Sequence, residues 1–186
     1  MAILKILTYP EKSLQLTSVT VDNIDDDIKQ LVQDMGETMF DAPGVGLAAP
    51  QVGVNKRVIV FDVNARDKNE EKTEEKTEEK KNEFRGLINP EITEASGSII
   101  SREEGCLSVL DYNSDVKRYE KIIVKALTID GEKVEFHLEG IPAIILQHEI
   151  DHLDGILFID RISALKRGMY KKKIKKRLKK EQSFEN

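Results

Sequence analysis

The stretch Gly140-Ile141-Pro142-Ala143-Ile144-Ile145-Leu146-Gln147-His148-Glu149-Ile150-Asp151-His152-Leu153-Asp154-Gly155 decides how this chain is read. Proline is tolerated in a first helical turn, where its missing N–H has no partner to lose, and glycine closes a helix in the left-handed region. A helix from about Ile141 to Leu153 follows, with Gly155 as its stop. The run is apolar on most faces up to Leu146, which predicts burial. On such a helix His148 and His152, four apart, project from one face about one turn apart and can grip a single metal ion. Glu149 lies between them, beside a metal rather than aimed at it, where it can take a proton from water.

Two imidazoles do not complete a catalytic site, for which three protein ligands and an open position are usual. The residues after His152 offer no histidine at the spacing of familiar His-Glu-x-x-His proteases, and the remaining chain is short and basic. Cys106, the one cysteine, in Glu104-Gly105-Cys106-Leu107-Ser108, is the candidate third ligand, a small buried hydrophobe being the alternative. A thiolate with two imidazoles suits zinc or ferrous iron. A single cysteine also excludes an internal disulfide and fits a reducing compartment. Glu104 is either an orienting group or a solvated charge, Asp151 and Asp154 are helix-end groups or partners of the ligands, and His137 is a strand residue without a role.

Outward from this helix, Ile3 to Tyr9 reads as extended. Ile24, Ile28, Leu31, Val32, Met35 and Met39 repeat at helical spacing, with Asn23 or Asp22 as the cap and Asp25 to Asp27 against the helix dipole. Pro43, Gly44, Gly46, Pro50 and Gly53 make a loop, and Arg57 to Val63 is a β-branched strand. Further strands are expected at Phe84 to Ile88, Ser98 to Arg102, Ile122 to Ile129 and Lys133 to Leu138, with Asp130-Gly131 as a hairpin turn. Antiparallel β structure with two or three helices is the result.

At 186 residues and 39% hydrophobic, the chain suits one compact domain with appendages. Residues 65–83 are a charged repeat without an apolar side chain after Ala65, expected to be a disordered insertion. Net charge is −5, yet Arg161 to Lys180 holds eleven Lys or Arg and no acid, so an acidic body carries a basic tail. No apolar run is long enough for a membrane span and the first ten residues lack a signal-peptide pattern, so a cytoplasmic protein without membrane contact is expected.

Three segments carry a resemblance. Gly44-Val45-Gly46-Leu47-Ala48-Ala49-Pro50-Gln51-Val52-Gly53, Glu104-Gly105-Cys106-Leu107-Ser108 and Gln147-His148-Glu149-Ile150-Asp151-His152 resemble, in this order, the signature motifs of peptide deformylases. Ile6-Leu7-Thr8-Tyr9-Pro10 resembles the family's opening and Ile88-Asn89-Pro90 its middle strand, so the likeness spans most of the chain. It implies an α+β fold of mixed antiparallel β-sheets around a central metal-binding helix, plus an N-terminal and a C-terminal helix. It also implies one divalent ion, Fe(2+) or Zn(2+), held by Cys106, His148 and His152.

The implied reaction removes the formyl group from the N-terminal formylmethionine of newly synthesised proteins and releases formate. Glu149 would move the proton, and the Gln51 side-chain amide and the Leu107 N–H would face the oxyanion. Val45, Ile141, Ile144 and Ile145 match positions that line the methionine pocket, while Gly44 and Gly46 let the backbone approach the substrate. Two departures stand out: Leu110 where many members have proline, and the length of the charged run. The expected organisation is a catalytic domain over 1–164 and a basic helical tail over 165–186. That tail has the charge to dock on ribosomal RNA, and no DNA partner is expected. The competing readings are a zinc peptidase built on the same helix and a non-catalytic module that binds the ribosome.

Overall fold

The computed structural model describes residues 2–65 and 82–182; most of the charged run lies outside them. Its elements are α1 (Asp26–Asp41), β1 (Gly46–Ala48), β2 (Val58–Asp62), β3 (Phe84–Ser96), β4 (Ile99–Cys106), β5 (Val109–Arg118), β6 (Lys121–Leu127), β7 (Lys133–Glu139), α2 (Ile141–Leu153) and α3 (Ala164–Gln182). The fold is α+β. Five strands form one antiparallel sheet in the order β1-β2-β3-β6-β7, and β4 and β5 form a separate hairpin.

Helix α1 starts later than the sequence suggests. Neither Asp22 nor Asn23 caps it: the Asp25 carboxylate accepts from the Ile28 N–H at 3.0 Å, satisfying a donor that the first turn leaves without a partner. Ile28, Val32, Met35 and Met39 on its inner face are buried against Leu47, Val58 and Val60 of the sheet. The other face of the sheet takes α2, where Ile59, Leu87, Val124, Leu146 and Leu153 belong to one buried cluster. Burying a side chain of this size contributes roughly 1.5–3 kcal/mol, so α2 is held by packing along nearly its whole length.

Several strands exceed the sequence reading. β3 continues past Ile88 to Ser96 with two register shifts against β6, and β4 continues past Arg102 to Cys106. β1 and β5 were not foreseen. In β5 the buried positions are Val109, Ser114, Val116 and Arg118, so its inward face contains few apolar residues to mark it as a strand.

Periodicity in the tail puts Ile162, Leu165, Met169, Ile174 and Leu178 loosely along one stripe, of which α3 buries Ile174 but not Leu165 or Met169. Leu165 is 75% exposed and Met169 66%, while Tyr170 and Ile174 are the buried contacts. Tyr170 packs on Tyr112 with ring centroids 4.9 Å apart and on Tyr9 at 5.7 Å, in a cluster with Leu14, Val109 and Phe158. Lys173 donates to the Asp111 carbonyl at 3.0 Å and Arg177 to its carboxylate at 2.9 Å, which ties α3 to the tip of the β4–β5 hairpin. Among the described residues, no helix is long and apolar enough to cross a membrane.

Candidate metal centre

Helix α2 carries Pro142 in its first turn as expected, and Gly155 follows its C-cap Asp154 in the left-handed region. A Cβ at Gly155, where φ is +73°, would lie 2.6 Å from the Gln15 carbonyl oxygen, so only glycine lets the two segments pass. Gln147 fastens the helix to the β5–β6 turn by accepting from the Tyr119 N–H at 2.9 Å and donating to the Tyr119 carbonyl at 2.8 Å. This fixes the face that carries His148 and His152, whose ring centroids are 5.0 Å apart.

Cys106 arrives at that face from the end of β4. Its Sγ is 3.2 Å from His152 Nε2, and one donor atom from each of Cys106, His148 and His152 lies within 4.8 Å of the others. The surrounding bonds aim these atoms. His148 Nδ1 is 2.8 Å from Glu104 Oε1, which places the proton on Nδ1 and turns Nε2 toward the cluster. The Ser108 N–H donates to Sγ at 3.4 Å and Gln51 Nε2 lies 3.6 Å from it. Gln51 is itself held, with its carbonyl oxygen accepting from the Ala48 N–H at 2.8 Å and its amide donating to Ser108 Oγ at 3.1 Å.

The electrostatics suit a cation. Burial alone would lower His148, yet its hydrogen bonds to Cys106 and Glu104 outweigh that and raise it well above an ordinary imidazole, whereas burial and the His148 charge depress His152. Thiol and imidazole donors bind a metal ion in their deprotonated forms, so loading such a cluster releases protons. The donor set fits a zinc or ferrous ion.

Glu149 is buried, and its Oε2 has no hydrogen-bond partner among the described residues. Burial pushes its carboxyl up to about 7, with the charges of His148 and Arg118 opposing. Gly46 makes room for it: a Cβ there would sit 2.3 Å from Glu149 Oε1.

A cavity of about 500 Å³ opens over this cluster. Gly44, Val45, Gly46, Ile144 and Ile145 line it, together with Gln51, Cys106, Leu107, His148 and Glu149. His152 lies behind its wall, and Ile141 is not brought to it but packs against the inner core. Ser101 and Asn113 line the cavity too, and sequence reasoning had no signal for either. Nor did it find Arg118, whose side chain is 1% exposed and pairs with Glu104 at 2.5 Å and Asp151 at 2.5 Å. Glu104 is thus a buried orienting group, not a solvated charge; burial would raise its carboxyl, but the bonds from His148 and Arg118 hold it at about 2. Asp154 pairs with Arg57 at 2.7 Å, and His137 is exposed beside Glu135.

An α+β sheet assembly wrapped on a buried His-Glu-x-x-His helix, with a cysteine beside both histidines, defines a metallohydrolase. Comparison with known proteins makes this specific. The family model for polypeptide deformylase matches residues 3–168. The peptide deformylase of Thermodesulfovibrio yellowstonii is 47% identical over 175 residues, covering 94% of this chain and 98% of the relative. The crystal structure of a peptide deformylase from Legionella pneumophila is similar with a TM-score of 0.81 at 42% identity, covering 98% of each chain. That of the Ehrlichia chaffeensis peptide deformylase in complex with actinonin gives 0.81 at 39% identity, covering 95% and 98%. The chain belongs to the peptide deformylase family. It is a hydrolase that removes the N-formyl group from newly synthesised formylmethionyl peptides, in a metal-dependent family, and neither competing reading is favoured.

Proposed function

We propose that Cys106, His148 and His152 hold one iron(II) or zinc ion and that Glu149 moves the proton in deformylation. The observation that carries this is the convergence of those three donors beside a buried carboxylate whose Oε2 lacks a partner. The ion, when bound, supplies Lewis acidity for the formyl oxygen and makes a water nucleophilic near neutral pH. Glu149 accepts the proton that the attacking water loses and returns it to the departing peptide amine, so the C–N bond breaks and formate leaves. The Gln51 amide and the Leu107 N–H are the donors for the oxyanion, each worth roughly 3 kcal/mol. Gln51 is suited to this because the Ala48 N–H engages its carbonyl and Ser108 Oγ accepts from its amide, which fixes that amide beside Cys106. Gly44, Val45 and Gly46 on one wall and Ile144 and Ile145 on the other receive the substrate and its methionine side chain.

The test is metal content after purification. Cys106→Ala, His148→Ala and His152→Ala should each lose the ion and the activity, and a variant that keeps both would remove its residue from the ligand set. Reconstituting the metal-free protein with iron(II) under exclusion of oxygen, or with zinc, identifies the working ion, since availability as well as affinity decides which one a cell inserts.

Residues 1–164 are the catalytic unit in this reading and 165–186 the basic tail, and the enzyme works in the cytoplasm. Lys166 to Lys180 dock it on ribosomal RNA, where formylated chains emerge, through counterion release. Because Tyr170 and Ile174 are buried, truncating the helix would also open the body; reversing the charge of Lys172, Lys175, Lys176 and Lys179 is the cleaner test. Salt-sensitive co-sedimentation with ribosomes should vanish while cleavage of a short formylmethionyl peptide persists. Unchanged co-sedimentation would refute the docking.

A further inference from the structure

A chain of ion pairs leaves the metal site and runs to the surface by a route the reaction does not use. His148 Nδ1 bonds Glu104 Oε1 at 2.8 Å, and Glu104 takes two bonds from Arg118, Nη2 at 2.5 Å and Nε at 3.1 Å. Arg118 Nη1 reaches Asp151 Oδ2 at 2.5 Å. Arg161 then closes the chain by donating from Nε to Asp151 Oδ2 and from Nη2 to Asp151 Oδ1. The Glu104, Arg118 and Asp151 side chains are no more than 8% exposed, while Arg161 is 40% exposed. A separate cavity of about 340 Å³, lined in part by Arg118, Asp151 and Arg161, meets the chain at this outer end and shares no lining residue with the substrate cavity.

Two carboxylates and two guanidiniums alternate along this route, so the charges balance only while Arg161 is present. Without it, Glu104 and Asp151 compete for the single Arg118. The guanidinium is then drawn toward Asp151, and the carboxylate that orients the His148 ring loses its lock. Outer partners of this kind fix the tautomer and direction of a ligating imidazole.

We propose that Arg161 is a positioning residue for the metal site, acting through Asp151, Arg118 and Glu104 on His148. The inference rests on His148 being a metal ligand, as proposed above. Arg161 does not touch substrate. It sets how firmly the metal ligand is held, from a position three residues before the basic helix α3. Its planar fork makes the two-pronged contact with Asp151 that a lysine cannot reproduce.

The experiment uses the full-length zinc-loaded protein and measures the rate at which EDTA removes zinc, together with the visible spectrum of the cobalt-substituted form. Arg161→Gln should release zinc on the order of tenfold faster than the unaltered protein and shift the cobalt bands. Arg161→Lys should fall between the two, and it carries the same test should Arg161→Gln not fold. Arg167→Gln removes a nearby arginine that pairs with Asp160 at 3.4 Å instead of with Asp151, and should change neither readout. Zinc release and cobalt bands in the Arg161 variants equal to those of the unaltered protein would overturn the proposal, as would an equal effect of Arg167→Gln. An unaltered protein that holds no zinc, or a Cys106→Ala variant that holds it equally well, would instead overturn the ligand assignment.

Discussion

Helices α2 and α3 each depend on a pair of residues four apart, and they use the pair in opposite ways. In α2, eleven of thirteen residues are buried, so packing fixes the whole rod and holds His148 and His152 beside Cys106. In α3, Tyr170 and Ile174 are the buried members among the side chains described, and they anchor a helix whose other positions are mostly charged. The difference teaches where precision is held. The proposed ligand set needs a frame that cannot shift, and α2 has one in the sheet, in Gln147 and in the Glu104–Arg118–Asp151 chain. The docking surface proposed for α3 needs only to be attached, because long-range attraction tolerates loose placement.

The comparison is broken most severely at Arg118. Arg118→Ala leaves Glu104 and Asp151 buried without their shared cation, and removing one partner of such a buried pair costs about 3–5 kcal/mol. Denaturant unfolding should show this loss, and metal retention should fall with it. An effect below about 1 kcal/mol would place the frame of α2 in its apolar packing alone.

The anchor of α3 comes next. Tyr170→Ala empties a fully buried aromatic site and should cost about 3 kcal/mol, read as a lowered unfolding midpoint with peptide activity preserved in the remaining folded protein. Loss of activity in parallel would mean that α3 helps to shape the catalytic site.

Alkaline pH sharpens the same point with a smaller effect. Burial raises the Tyr170 hydroxyl to about 12, with Tyr9 adding to it, and that hydroxyl has no hydrogen-bond partner among the described residues. A raised pKa in the folded state gives stability that is full below the ordinary tyrosine value near 10 and is lost as pH rises toward 12. Tyr170→Phe cannot ionise, so its unfolding free energy should fall less over that window than the unaltered protein's. Identical pH profiles would contradict the burial argument.

The smallest effect is expected from deleting Lys68 to Lys81. The run contains no apolar residue, so stability should change by no more than about 0.5 kcal/mol and turnover not at all. A larger drop in the melting temperature would show that this charged run contributes to the fold.

The two helices also differ in how far the sequence disclosed them. For α2 everything local was visible: Pro142 at the start, Gly155 at the stop, an apolar run for burial and the histidine spacing for the site. For α3 the helix and Ile174 were legible but Tyr170 was not, because it sits in a basic run and an aromatic with a hydroxyl gives a weaker apolar signal than Leu165 or Met169, which are exposed. Strand β5 escaped for a related reason. Its inward positions include Ser114 and Arg118, and a buried arginine is sensible only once Glu104 and Asp151 have been brought to it by the fold. The α1 cap falls at Asp25 and not at Asp22 or Asn23 because all three qualify by type, and only the fold decides which carboxylate meets an open N–H. Cys106, His148, Glu149 and His152 were legible because few residue types perform such chemistry, whereas Ser101 and Asn113 have no such restriction.

The measurement closest to the central claim, that α2 is a fixed frame dividing metal binding from proton transfer, is Glu149→Gln. The zinc- or iron-loaded variant should retain its full complement of metal and its folded stability, because Glu149 is not among the three clustered donors. Its turnover of a formylmethionyl peptide should fall by at least about 100-fold, since an amide cannot accept the proton. Full metal content with near-normal turnover would contradict the account, and metal lost along with activity would make Glu149 a ligand rather than the base.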